Sequence, residues 1–237
     1  MENNRTIKKV AVLGSGVMGS GIALHFANIG CEVLLLDIVP FDLKEEEKSN
    51  PKARNRIVND MLAFAVKSKP NPAYSAASAA RVSTGNFDDD MHKIKDCDWV
   101  IEVVVERLDI KKQVYEKVEK HRKPGSLITS NTSGIPINLL EEGRSEDFVK
   151  HFCGTHFFNP PRYLKLLEII PTTKTDPSVV SFLMDYGDKF LGKETVLCKD
   201  TPAFIANRVG VYAMEKIIQL TVDLGLTIEE ADKLTGP

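Results

Sequence analysis

The stretch VAVLGSGVMGSGIALHFANIGCEVLLLD, residues 10–37, carries Gly14, Gly16 and Gly19 in the spacing G-x-G-x-x-G. An apolar, β-prone run precedes them and a helical pattern follows, so the glycines fall at a strand-to-helix turn. The spacing has a mechanical use. The first glycine permits the tight turn, the second lets backbone approach a pyrophosphate, and the third lets helix and strand pack closely. The loop Gly14, Ser15, Gly16, Val17, Met18 and Gly19 would present free amides and the positive end of a helix dipole to phosphate oxygens. Asp37 lies eighteen residues after Gly19, at the end of the next apolar run. A carboxylate there accepts hydrogen bonds from both ribose hydroxyls. It also repels a 2′-phosphate, and no Lys or Arg follows before Lys44. The pattern predicts a dinucleotide site that takes NAD rather than NADP.

A second group lies in GTHFFNPPRYLKLLEII, residues 154–170, where two short apolar runs flank a proline-containing turn and predict a hairpin. His156 and Glu168 each stand six residues from Arg162. In an antiparallel pair centred there they would face each other, with Cβ atoms about 4.5–5.5 Å apart. A carboxylate so placed accepts from one imidazole nitrogen, fixes the tautomer and leaves the other nitrogen as a base. Ordinary imidazoles ionise near pH 6.5, which suits removal of an alcohol proton at neutral pH. The alternative is a His–Glu pair that only joins two strands.

The elements that would position these groups alternate. Strand-like runs occupy 10–13, 33–37, 99–105 and 127–130, with helical patterns at 17–29, stopped by Gly30, and at 110–121. Such alternation implies βαβ units and a parallel sheet. Residues 41–81 are charged and then alanine-rich, predicting one or two helices broken at Pro70 and Pro72. Beyond the hairpin come a helix near 177–191 and a strand near 194–198. A long helix follows, with Thr201 as N-cap, Pro202 at its first position and Gly225 at its end. A further helix begins near Thr227. The expected architecture is α/β. A Rossmann-type, doubly wound, mostly parallel sheet fills 1–200, and the first helices of an all-α C-terminal domain fill 201–237.

Bulk properties narrow the partners. The 237 residues are 43% hydrophobic with a formal net charge of −2, which gives no bulk reason to expect nucleic acid or an anionic membrane. The longest apolar runs are strand-length, well short of a membrane span. The opening MENNRTIKK lacks the apolar stretch of a signal peptide. Cys31, Cys97, Cys153 and Cys198 are scattered, with no CxxC pairing and no metal-like spacing, as expected of free thiols in a reducing cytoplasm.

Taken together, the glycine fingerprint, SNTSG (130–134), HFFNP with a glutamate twelve residues after its histidine, and KDTPAFIANR (199–208) carry a resemblance. The chain resembles the L-3-hydroxyacyl-CoA dehydrogenases of fatty acid β-oxidation over about residues 7–235. The resemblance implies NAD-dependent oxidation of a 3-hydroxyacyl-CoA thioester to the 3-ketoacyl-CoA. It gives His156 the role of general base and Glu168 that of its orienting partner. Ser133 and Asn207 would contact substrate near its hydroxyl or thioester. Asn159, Glu106, Lys111 and Ser133 match positions near the nicotinamide half of the cofactor.

The pattern also departs from the family. Gly134 follows Ser133 where a second serine is common, and NPPRY replaces a valine- and methionine-rich version. The 41–81 segment, a CoA-touching helical excursion in the family, matches poorly, and Lys67 and Lys69 read either as CoA-phosphate contacts or as a solvated face. His25, His92, His121 and His151 have no partner pattern and read as surface or packing residues. Stand-alone relatives carry a larger helical domain that implies a homodimer, so the chain reads as part of a longer enzyme. VKSKPNPAYSAASAARVSTGNF and SGIPINLL further resemble the dehydrogenase part of multifunctional β-oxidation proteins. Two other readings stand beside this one. One is a different NAD-dependent β-hydroxyacid dehydrogenase, which would use a lysine where the helix here opens with Asn207 and Arg208. The other is a non-catalytic NAD-binding module.

Overall fold

The computed structural model describes residues 5–236. β1 (Lys9–Leu13), α1 (Val17–Asn28) and β2 (Glu32–Asp37) make the first unit. They are followed by α2 (Pro51–Arg54), α3 (Arg56–Lys67), α4 (Ala76–Ala79) and β3 (Val82–Asn86). β4 (Trp99–Glu102), α5 (Leu108–His121) and β5 (Leu127–Ser130) form the second unit. Next come α6 (Ile137–Leu140), α7 (Glu146–Lys150), and the paired strands β6 (Phe152–Phe157) and β7 (Leu166–Pro171). α8 (Pro177–Lys189), β8 (Glu194–Leu197), α9 (Ala206–Asp223) and α10 (Ile228–Thr235) follow.

The eight strands form one sheet in the order β3-β2-β1-β4-β5-β6-β7-β8. All neighbours are parallel except β6 and β7. Strand order reverses between β1 and β4, and open sheets of this kind bind ligands in the crevice beyond the carboxyl ends of the strands at that point. Alternate side chains of each strand enter opposite layers. Val10 and Val12 join Ile22, Phe26, Leu35 and Trp99 on one face. Ala11 and Leu13 join Leu36, Val100, Tyr115 and Phe152 on the other. A sheet covered on both faces explains why these strands read as unbroken apolar runs.

Three expectations change, and one strand carried no expectation. β4 ends at Glu102 rather than at 105, because the Glu102 carboxylate accepts the Val104 amide at 2.8 Å and turns the chain out of the sheet. The edge strand β3 gave little sequence signal, being the polar run VSTGN. Residues 41–81 hold a 3₁₀ turn at Glu45–Glu47 and three helices, more broken than expected. The long C-terminal helix starts at Ala206, not at Pro202, because Ala203 (φ 62°) and Phe204 (φ 49°) are left-handed and Phe204 turns into the core. Gly225 (φ 62°) ends α9 as expected, and α9 and α10 bury no side chain.

His25 of α1 is buried, with Nε2 at 3.0 Å from the Leu191 carbonyl and Nδ1 unpartnered. Burial, with nearby Lys193 and Arg162 adding to it, pushes its pKa down from 6.5 to about 4. The unfolded chain therefore binds a proton between pH 6.5 and 4 that the folded chain does not, so stability falls as pH drops through that window. From pH 7 to 5 the loss from this residue is about 2 kcal/mol. Urea unfolding at both pH values should show a difference smaller by that amount in His25→Gln.

Candidate functional site

The glycine turn joins the end of β1 to the start of α1 at the switch point. Gly14 has φ 104°, and a Cβ there would meet the Val103 carbonyl oxygen at 2.6 Å. A Cβ on Gly19 would lie 1.8 Å from the Gly14 carbonyl oxygen, so α1 sits directly against the turn. Gly16 differs: a Cβ there meets nothing within 4 Å. It is the N-cap of α1 and offers no side-chain cap, which leaves first-turn amides open beside free space. This is a cradle that a side chain would fill, as a pyrophosphate requires. Asp37, at the end of β2, accepts from Ser15 N at 2.6 Å and Ser15 Oγ at 2.5 Å through Oδ2, and from Ile38 N at 2.7 Å through Oδ1. Oδ1 takes no other bond among the described residues, so the carboxylate could still receive a hydroxyl donor there.

At the end of β4 lies a buried carboxylate that sequence reasoning missed. Glu102 accepts from Lys111 Nζ (2.7 Å), Tyr115 Oη (2.8 Å), Ser130 Oγ (2.7 Å) and the Val104 amide. The donors come from α5, β5 and the loop after β4, so no local spacing announces the cluster. Lys111 is 1% exposed and also pairs with Glu106 Oε2 at 3.2 Å. Its ammonium is thus taken up by two carboxylates. Glu106 Oε1 in turn accepts from Thr132 Oγ1, Ser133 N and Gly134 N, which holds the SNTSG loop. Burial alone would raise the Glu106 carboxyl, but the Thr132 hydroxyl and Lys111 bring it below its ordinary value. Asn131, also missed, ties the same loop to β6 by accepting the Phe157 amide at 2.8 Å.

The hairpin register sets His156 directly opposite Glu168. His156 Nδ1 lies 2.7 Å from Glu168 Oε2, and both residues are buried. An ionised carboxylate only accepts, so in a neutral ring facing it the proton sits on Nδ1 and the lone pair on Nε2. No group among the described residues bonds Nε2. Glu168 Oε1 accepts the amides of Ile205 (3.1 Å) and Ala206 (2.8 Å). Burial, with Glu168 beside it, pushes the Cys198 thiol up to about 12 and keeps it protonated.

Of the other expected residues, Ser133 and Asn207 come together, while Asn159 lies against α1 and α3. Ser133 is exposed, and the Asn207 carboxamide lies 3.5 Å from its carbonyl oxygen. Asn159 lines a cavity of about 220 Å³ together with Val17 and Gly21 of α1, Phe64 of α3 and Lys69. Lys67 and Lys69 are exposed and form no ion pair among the described residues. Among those residues no helix is long and apolar enough to cross a membrane.

A doubly wound sheet with a phosphate-type glycine turn at its switch point defines a dinucleotide-binding domain. The model of the family described as 3-hydroxyacyl-CoA dehydrogenase, NAD binding domain, matches residues 9–201. The chain belongs to that family, and NAD is the cofactor of its domain. It is 51% identical over 240 residues to a Bacillus subtilis protein named probable 3-hydroxyacyl-CoA dehydrogenase, covering 99% of this chain and 30% of that protein. It is 48% identical over 231 residues to a Deinococcus radiodurans protein of the same name, covering 98% of this chain and 64% of that one. The (S)-3-hydroxybutyryl-CoA dehydrogenase structure from Ralstonia eutropha matches with TM-score 0.75 and 26% identity, over 95% of this chain and 75% of that one. The chain thus spans between about a third and two thirds of these curated relatives.

Proposed function

We propose that the protein containing this chain oxidises an L-3-hydroxyacyl-CoA to the 3-ketoacyl-CoA with NAD, as in fatty acid β-oxidation. The observation that carries this reading is the His156–Glu168 contact of 2.7 Å, which leaves Nε2 without a partner among the described residues of the family's NAD-binding domain. His156 takes the hydroxyl proton on Nε2, and Glu168 stabilises the imidazolium as it forms. Ser133 and Asn207 hold the substrate near its hydroxyl and thioester. Glu106 keeps the Ser133 loop in place and, with Asn159 and Lys111, frames the nicotinamide half of the cofactor. NAD, when bound, accepts the hydride from carbon. The helical segment carrying α9 exposes Val209, Tyr212, Met214, Ile218, Leu220 and Val222, and serves homodimer pairing within the larger C-terminal domain.

The test follows NADH absorbance with full-length protein, first with acetoacetyl-CoA and then with acetoacetate. Oxidation with the thioester alone supports the reading. Oxidation with the free acid points to a β-hydroxyacid enzyme, and oxidation with neither points to a binding module. Calorimetric titration checks Asp37 separately. NAD should bind at least about tenfold more tightly than NADP, or ~1.4 kcal/mol, and Asp37→Ala should narrow the gap.

A further inference from the structure

The segment between β8 and α9 has a backbone that its sequence does not favour. Thr201 and Pro202 carry the signals of a helix start, yet Ala203 and Phe204 adopt φ of 62° and 49°. Left-handed backbone is unfavourable for residues with a Cβ, and such outliers persist only where their surroundings hold them. Two features hold this one. The Phe204 amide closes the turn on the Thr201 carbonyl at 3.0 Å. The Phe204 ring is 2% exposed and packs on His156 with centroids 5.7 Å apart, while Phe158 flanks the imidazole at 4.4 Å.

The turn has a second effect. A right-handed helix begun at Pro202 would bond the Ala206 amide to the Pro202 carbonyl and the Ile205 amide to that of Thr201. Those are the two amides that donate to Glu168 Oε1, at 2.8 and 3.1 Å. The left-handed pair frees them. With Oε1 so occupied, the carboxylate has one orientation, and Oε2 is left to His156.

We propose that the turn at residues 201–205 is a positioning element for the His156–Glu168 pair. It holds the imidazole with the Phe204 ring and the carboxylate with two main-chain amides. The role builds on the dehydrogenase reading, but its test does not depend on that reading. Full-length protein labelled with ¹⁵N-histidine reports the His156 ring by NMR without substrate, its signals assigned by their loss in His156→Ala. Phe204→Leu removes the ring, and Ala203→Val puts a β-branched residue where φ is positive. Phe148→Leu is the matched control, since Phe148 is fully buried in the same core cluster with its ring against Tyr115 and Phe152. Both turn variants should shift the His156 signals and their pH titration. They should also lower kcat by about 10- to 100-fold, as misplacement of a reacting group does, with KM for NAD unchanged. Phe148→Leu should lower the melting temperature and leave the His156 signals in place. Wild-type His156 signals in both turn variants would overturn the proposal, whether or not the thioester is oxidised.

Discussion

His156→Ala is expected to lower kcat for 3-hydroxyacyl-CoA oxidation by about 10²–10⁴-fold while leaving NAD affinity unchanged. That range corresponds to about 2.7–5.5 kcal/mol of transition-state stabilisation. The expectation follows from what each nitrogen does. Nδ1 is committed to Glu168 at 2.7 Å, and Nε2 is the buried ring's one open basic site. On the proposed mechanism, water would have to take the alcohol proton in its absence, while the glycine turn would be untouched. His156→Gln, which better fills the space between Phe158 and Phe204, should fall as far as the alanine variant and so separate chemistry from packing. Glu168→Gln makes a sharper point. The Ile205 and Ala206 amides demand an acceptor at Oε1, so the new amide oxygen must face them and its NH₂ must face His156. Nδ1 would then have to accept, the ring proton would move to Nε2, and the base would be blocked by its own hydrogen. A loss of the same order as in His156→Ala is expected, with normal NAD binding. Steady-state rates of NADH formation for the three variants check this, and near-normal turnover in any of them would dispose of the assigned roles.

The parts of this site legible in the sequence are those set by short-range geometry. The glycine spacing, its flanking apolar runs and Asp37 describe one βαβ unit, so local pattern was enough to place them. The opposition of His156 and Glu168 followed from counting outward from Arg162, because antiparallel register is fixed by its turn. What could not be read depends on tertiary contact. Glu102 draws donors from positions 104, 111, 115 and 130, and only the folded sheet end brings them together. β3 lacked a signal because its residues are polar and its place at the edge requires little burial. The misplaced start of α9 is the most informative case. Thr201 and Pro202 are sound local signals, and they lose to the burial of Phe204 and the two amides drawn to Glu168. Propensities of a few tenths of a kcal/mol per residue yield readily to burial of a phenylalanine, worth about 1.5–3 kcal/mol.

Gly19 and Gly16 should separate under alanine substitution, because each is required for a different reason. Gly19→Ala should have the largest effect. Its Cβ would sit 1.8 Å from a backbone carbonyl that cannot rotate away, so α1 must leave the turn. Displacing a buried helix in this way exceeds ordinary overpacking, and a loss of more than about 3 kcal/mol of stability is expected along with all NAD binding. Gly16→Ala should behave oppositely. Gly16 has φ −55° and open space around its Cβ position, so the apo protein should unfold within about 1 kcal/mol of wild type. If the pyrophosphate rests there as proposed, the added methyl would instead occupy its space. Saturating NAD at about 100 times its Kd stabilises a binding protein by about 2.7 kcal/mol, and a tenfold weaker variant loses about 1.4 kcal/mol of that. Thermal unfolding with and without NAD therefore distinguishes the two glycines in one experiment. Gly19→Ala fails in both conditions, while Gly16→Ala matches wild type until the cofactor is added. Full stabilisation of Gly16→Ala by NAD would mean that the pyrophosphate does not rest on the start of α1, and the Gly14–Gly19 loop would then serve only to pack the helix.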